Sequence, residues 1–255
     1  MPDSTIFALG GVGGDAQPDS GIGRSLSLLT PGVSWADTRG DATTNGSSYN
    51  ASSGTLVDGV HNGKFQGRGT ANAYICDRSF FAFDLSGESG TIASADLKIK
   101  TDNLGDTGTN QSTVYAVAST ALANGVADYG NVFSGAAGTT LTSYGSTAIS
   151  TTEQYHTWTI NSDGISDIND AIGSGILTIG LMGYYDYNNS DPGTGNETKI
   201  KIFYANTLGT GSDPKLELTL ATAGFGHKTI GVASANIGKV KGVATANIGK
   251  VIGVD

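Results

Sequence analysis

Ala73-Tyr-Ile-Cys-Asp-Arg-Ser-Phe-Phe-Ala-Phe-Asp-Leu85 is the stretch whose reading decides the fold. It is rich in β-forming residues, and Phe81, Phe83 and Leu85 share one face at a period of two, the spacing of a strand with an apolar side. Ala95-Asp-Leu-Lys-Ile-Lys-Thr101 repeats the pattern more simply, with Leu97 and Ile99 alternating against Asp96, Lys98 and Lys100: a half-buried strand with one wet face. Ser112–Val117, Tyr155–Ile160, Gly175–Met182, Thr198–Tyr204 and Pro214–Leu220 continue in the same manner. Seven or more such strands need two packed sheets to cover their apolar faces, so the expected fold is an all-β sandwich. One short helix interrupts it: Ile165, Ile168 and Ile172 recur at i, i+3 and i+7, with Ser162 or Asp163 as cap and Gly173 as stop.

Composition agrees with this reading and narrows the partners. Glycine is abundant at 39 of 255 residues and charged residues are scarce at 15%, so Ser, Thr, Asn and Gly form the surface, as in secreted or particle-borne β proteins. A net charge of −9 with only 14 Lys plus Arg argues against a nucleic-acid partner, which needs a clustered basic face. The single Cys76 excludes a disulfide framework within the chain and reads as a buried, inert thiol. The start Met-Pro-Asp-Ser-Thr lacks the features of a secretory signal, and no apolar run approaches membrane-spanning length, so neither that export route nor a membrane is expected. An outside-type composition without an export signal suits a virus particle, assembled in the host cytoplasm and released by lysis.

The chain divides by pattern into three parts. Residues 1–34 form a Gly-rich arm, read as extended and flexible or docked on a partner; its glycines precede no helical period, so they do not read as a phosphate loop. Residues 35–221 form the sandwich. Residues 222–255 form a tail that repeats itself: I-G-V-A-S-A-N-I-G-K-V at 230–240, K-G-V-A-T-A-N-I-G-K-V at 241–251, then I-G-V-D. Repeated near-identical units do not arise from packing in an ordinary domain, where every position faces a different environment; they are an assembly device. Period eleven also fits three helical turns. Gly231, Gly238, Gly242, Gly249 and Gly253 would each cost a helix about 1 kcal/mol, so short extended pieces with glycine turns are expected instead. Val232, Ile237, Val240, Val243, Ile248, Val251 and Val254 would then supply the contacts to neighbouring chains.

Two resemblances follow from these residues. Arg78-Ser-Phe-Phe-Ala-Phe-Asp-Leu-Ser86, Ile92-Ala-Ser-Ala-Asp-Leu97, Val114-Tyr115, the Trp158 strand with its helix, G-I-L-T-I and Pro214-Lys-Leu-Glu-Leu together resemble the DNRLRE-type jelly-roll domain over residues 35–221. Of the string that names the family this chain has Asp77-Arg78. The resemblance implies a jelly-roll β-sandwich of the kind that serves as a carbohydrate-binding module beside polysaccharide lyases and in surface proteins, and that also occurs in viral structural proteins. The tail is similar to repeats in structural proteins of marine tailed bacteriophages, which implies assembly into a virion.

Candidate sites are few. Asp186, Asn188, Asp191 and Glu197 bring oxygen ligands at spacings that superficially match a calcium loop, although Asp191 stands where such a loop has Gly, and Pro192 and flanking strands suit a solvated β-turn. The loop at 101–110 offers a second Asx- and Gly-rich calcium candidate. Tyr185 and Tyr187 beside the acidic loop are the candidates for stacking on a sugar face, against a reading as strand-end packing. His61, His156 and His227 have no zinc spacing. Asp84 and Glu88 are the nearest approach to a carboxylate pair for glycoside cleavage, and no serine nucleophile motif is present. Arg39-Gly40-Asp41 spells an adhesion tripeptide that three residues reach easily by chance.

The expectation is therefore a non-enzymatic structural protein without cofactor. Its place would be the surface of a tailed-phage virion, as head decoration or head fibre first and a tail-fibre part second. It would partner copies of itself, with a homotrimer as the candidate assembly, and other virion proteins. A carbohydrate-binding module or adhesin with a surface glycan as partner is the alternative, and a subunit of a non-viral extracellular filament the second.

Overall fold

The computed structural model describes residues 2–9, 21–27, 33–51, 56–66, 72–102, 111–123, 125–135, 138–150, 152–173, 175–203, 211–221, 239–240 and 243–244. The strands among them are β1 (Ser4–Phe7), β2 (Gly21–Ser27), β3 (Ser48–Ala51), β4 (Leu56–Gln66), β5 (Asn72–Asp84), β6 (Ile92–Asp102), β7 (Thr113–Ala118), β8 (Phe133–Ser134) and β9 (Thr139–Thr140). They continue with β10 (Ser143–Ala148), β11 (Gln154–Thr159), β12 (Ile176–Gly183), β13 (Glu197–Phe203), β14 (Lys215–Leu220), β15 (Lys239–Val240) and β16 (Val243–Ala244). The helices are α1 (Trp35–Arg39), α2 (Ser162–Ala171) and α3 (Tyr184–Tyr187), with a 3-10 turn at Val126–Gly130. Two compact units result, Met1–Thr219 and Leu220–Asp255.

The first unit is a jelly-roll-like β-sandwich, and β5 is its central strand. β4 pairs antiparallel with the first half of β5 and β12 with its second half, and the sheet runs β1-β14-β6-β13-β4-β5-β12-β7-β10. β6 turns this sheet over on itself: Asp96 to Thr101 pair with β11, and Thr101 and Asp102 pair with β13. The inner faces meet in one core. Leu97 and Ile99 of β6, Trp158 of β11 and Leu218 of β14 pack in the same cluster as Phe81 and Phe83 of β5, Ile179 of β12 and Ile202 of β13. Each such large side chain, removed from water, contributes about 1.5–3 kcal/mol before conformational entropy is counted. Trp158 is fully buried, and its indole N–H donates to the Val114 carbonyl at 2.9 Å, so the polar atom it carries inward is satisfied.

Alternation explains β6, but β5 is buried on both faces. Phe81 and Phe83 face the sandwich core, while Tyr74, Cys76, Arg78 and Phe80, at the alternate positions, belong to a second layer. That layer is built by Trp35 of α1, Tyr129 of the 3-10 turn, Val132, Phe133 and Tyr185 of α3. Burial pushes the Cys76 thiol well up, as an inert thiol requires.

Helix α2 lies where the isoleucine periodicity places it, with Ile168 buried and Ile165 and Ile172 against the core. Its cap is Asn161, one residue earlier than expected, whose side chain accepts from Gly164 N at 3.1 Å. Asn169 pins the helix to the sheet by exchanging hydrogen bonds with both the N–H and the carbonyl of Ile92.

Three features differ from the sequence reading. The first arm does not stand apart: β1 pairs with β14 from Ser4↔Leu218 to Phe7↔Lys215, and β2 pairs with β5 from Gly21↔Phe80 to Ser27↔Tyr74. Strand β4, which its glycines and polar residues disguise, sits centrally between β5 and β13. A Cβ at Gly59 would collide with the Ile202 side chain, so this glycine is what admits Ile202 to the core. Helices α1 and α3 are a single turn each, too short to carry a period.

In the second unit, β15 and β16 pair antiparallel, Lys239 opposite Ala244 and Val240 opposite Val243. This short extended pair straddles the junction between the two repeats. Val232, Ile237, Ile248, Val251 and Val254 lie outside the described residues.

Candidate functional site

The layer over the outer face of β5 holds the densest chemistry among the described residues. Arg78 projects from the middle of β5 and is wholly buried, as is Asp186 of α3. The two form a bidentate pair: Nε donates to Oδ2 at 2.6 Å and an Nη donates to Oδ1 at 2.8 Å. Arg39, the last residue of α1, joins the same carboxylate with Nε 3.3 Å from Oδ1. Two guanidinium groups thus share one carboxylate, leaving an excess of one positive charge in a buried place.

That excess is spread over neutral acceptors. Arg78 donates to the carbonyls of Tyr129 and Arg39 at 2.7 Å each. Arg39 donates to the carbonyls of Asp186 and Gly138 at 2.7 Å and to the Thr140 hydroxyl at 3.0 Å. The Phe133 ring lies 4.4 Å from Arg78 Cζ and 4.5 Å from Arg39 Cζ, and the Tyr129 ring 3.9 Å from Arg78 Cζ. Burial alone would lower both arginine pKa values. For Arg78 the Asp186 charge more than offsets it and the value rises, while for Arg39 burial prevails and the value falls. Burial pushes the Tyr129 phenol well up, and its hydroxyl donates to the Thr38 carbonyl at 2.9 Å. The cluster is a tie between α1, the 126–140 segment and α3.

This geometry relocates the candidate calcium ligands. Asp186 is engaged by two arginines inside the protein, where a calcium ion would meet like charge. Asp191 accepts from the Tyr74 hydroxyl at 2.5 Å and from Gly193 N at 2.8 Å, with Lys64 Nζ at 3.5 Å. Burial opposes ionisation of Asp191, but Tyr74, Gly193 and Lys64 together hold its pKa below the usual value. Glu197 Oε2 lies 2.9 Å from His61 Nε2. Asn188 donates to the Tyr184 carbonyl, closing α3. Among the described residues no group of three or more His, Cys, Asp or Glu is placed to hold a metal ion. The second calcium candidate extends through 103–110, outside the described residues.

The aromatic candidates are also engaged. Tyr185 is 7% exposed and packs with Trp35, Tyr74, Cys76 and Tyr129, so its ring is part of the layer. Tyr187 stacks on Tyr115 with centroids 3.8 Å apart and planes at 10°, which occupies one face of its ring. The adhesion tripeptide begins with the buried Arg39, and Asp41 is folded into a turn accepting from Thr43 N and the Thr43 hydroxyl. Asp84 caps the Ser86 N–H and Glu88 accepts from the Ser4 hydroxyl. His156 is buried, and His227 lies outside the described residues.

Sequence reasoning missed the arginine cluster, although a signal for it existed. Arg78 stands in register with Tyr74, Cys76 and Phe80, and an arginine on an aromatic strand face requires a buried anion. Among the described residues, clefts open beside α2 (about 420 Å³), beside α1 (about 330 Å³) and beside β14 (about 350 Å³). No helix among the described residues is long and apolar enough to cross a membrane. No protein-family model matches the chain, and comparison with curated proteins gives no match.

Proposed function

We propose that this chain is a non-enzymatic structural protein of a tailed-phage particle, a head decoration or head fibre whose sandwich faces outward. Its C-terminal repeats would join copies of the chain, with a homotrimer as the assembly to test first, and join them to other virion proteins. The observation that carries this reading is the eleven-residue repeat at 230–251. Two features of the fold support it. Leu220–Asp255 separates as its own compact unit, and the described part of that unit is a pair of short extended strands rather than a helix. A β-ribbon of this kind can add to an exposed strand edge through its backbone and place Val and Ile in pockets. The sandwich contributes solubility through its polar surface.

The test is assembly of a chain truncated after Leu220. Mixed with particles lacking the native protein, the full chain should co-sediment with them and the truncated chain should remain in the supernatant. Equal incorporation of the two would end this reading.

A further inference from the structure

The charge of the chain is divided unevenly. Residues 1–221 hold 10 Lys and Arg against 22 Asp and Glu, a balance of −12, whereas residues 222–255 hold 4 Lys against Asp255 alone, a balance of +3. The tail lysines are placed by the repeat: each unit ends in Ile-Gly-Lys-Val, with Lys239 in the first and Lys250 in the second. The tail therefore presents, at an interval of eleven residues, a cation flanked by two branched apolar side chains.

The sandwich has a cleft of matching character. The one of about 420 Å³ beside α2 has an apolar wall of Ala118, Ala171, Ile176 and Leu177, and Asp167 and Asp170 on its rim. Asp167 accepts from the Tyr144 hydroxyl at 2.5 Å, a neutral partner. Asp170 is exposed, and among the described residues neither carboxylate pairs with a cation. The clefts beside α1 and β14 carry carboxylates too but differ in character: beside α1 the lining is polar apart from Ala36 and Gly40, and beside β14 Glu217 is already bonded to Lys98 at 2.6 Å and Lys215 at 2.9 Å.

We infer that the cleft beside α2 receives the Ile-Gly-Lys-Val segment of a second copy of this chain, its lysine between Asp167 and Asp170 and its Ile and Val against the apolar wall. This rests on the assembly reading above and names the partner surface for it. Chain length permits the exchange: the 19 residues from Ala221 to Lys239 span up to roughly 60 Å, against a radius of gyration of about 17 Å for a compact body of this size. Rim charges set the partner and the salt dependence, and the apolar contacts set the lifetime of the complex.

Charge exchange in the full-length protein tests the inference, read by sedimentation equilibrium. Asp170→Lys alone, and Lys239→Glu with Lys250→Glu alone, should each weaken self-association at least about tenfold. An equimolar mixture of the two should recover it, because the native cleft of the tail variant then meets the native lysine tail of the Asp170→Lys chain. Asp170→Asn should give a smaller loss and a flatter salt dependence, and serves if the lysine variant unfolds. Self-association unchanged in the single variants, or no recovery in the mixture, would overturn the inference. The full chain truncated after Leu220 separates the two levels: if it dissociates while Asp170→Lys does not, the cleft assignment fails and the assembly reading stands.

Discussion

Replacing Asp186 by Asn removes the carboxylate shared by two buried guanidinium groups and raises the charge of the Arg39–Arg78–Asp186 cluster from +1 to +2 at nearly constant volume. Breaking a buried pair from one side typically costs 3–5 kcal/mol, because the remaining charge stays desolvated without its counterion. For a body of this size that corresponds to a fall in Tm of roughly 6–20 °C, or about 1–1.7 M in urea midpoint with a slope near 3 kcal/mol/M. Arg39→Met alone lowers the cluster charge to zero and removes donors from Asp186 O, Gly138 O and Thr140 Oγ1, a loss of about 1–3 kcal/mol. The informative variant is the double one. With Asp186 already neutral, Arg39→Met relieves repulsion between two cations, so the double variant should be no less stable than Asp186→Asn alone, a favourable coupling of about 1–3 kcal/mol. Urea unfolding at neutral pH, followed by tryptophan fluorescence, reports on Trp35 in the outer layer and Trp158 in the core. Additivity of the two substitutions within about 0.5 kcal/mol, or a cost below about 1 kcal/mol for Asp186→Asn, would refute the charge argument.

Two further outcomes follow from burial. His156 is buried on the core side of β11, and burial lowers its imidazole pKa below the ordinary value of 6.5. A base with a depressed folded pKa contributes stability that is complete above the unfolded value and is lost as pH falls through the folded one; Tm should therefore decline below about pH 6.5, and His156→Leu should remove that part of the decline in a Tm series from pH 8 to 5. In β12, a Cβ added to Gly180 would lie 2.5 Å from Val132 Cγ1 and 3.3 Å from Val117 Cγ2. Gly180→Ala should then cost about 1–3 kcal/mol by overpacking, and Val132→Ala in the same chain should recover part of it; a denaturation midpoint unchanged by Gly180→Ala contradicts the tight packing.

The sequence displayed those parts of the fold in which one face is dry and the other wet. β6 is legible because Leu97 and Ile99 alternate with Asp96 and the two lysines, and α2 because three isoleucines keep a helical interval. β4 was hidden because its interior position is made with Gly59, where the missing side chain admits Ile202 from another strand. The double burial of β5 was half legible: Phe81 and Phe83 announced one face, while Arg78 on the other entered only as part of a family resemblance and not as a buried charge. Asp186 shows why spacing alone misassigns a ligand. Its place in a run of Asx residues suggested a cation, but α3 turns it inward to cations already supplied by Arg39 and Arg78. Which carboxylate meets which guanidinium across 108 or 147 residues is fixed by topology, and no local pattern carries it.

The separation of those partners along the chain also bears on synthesis. Arg78 leaves the ribosome well before Asp186, and the contacts that bury it draw on Arg39 before it and on Tyr129 and Asp186 after it. Until α3 emerges, the nascent β5 carries an ionised guanidinium in the middle of an otherwise aromatic and apolar strand face. A charge in that place discourages edge-to-edge pairing with other nascent chains. The guanidinium that the finished outer layer neutralises is thus an uncompensated charge on the unfinished strand until Asp186 arrives.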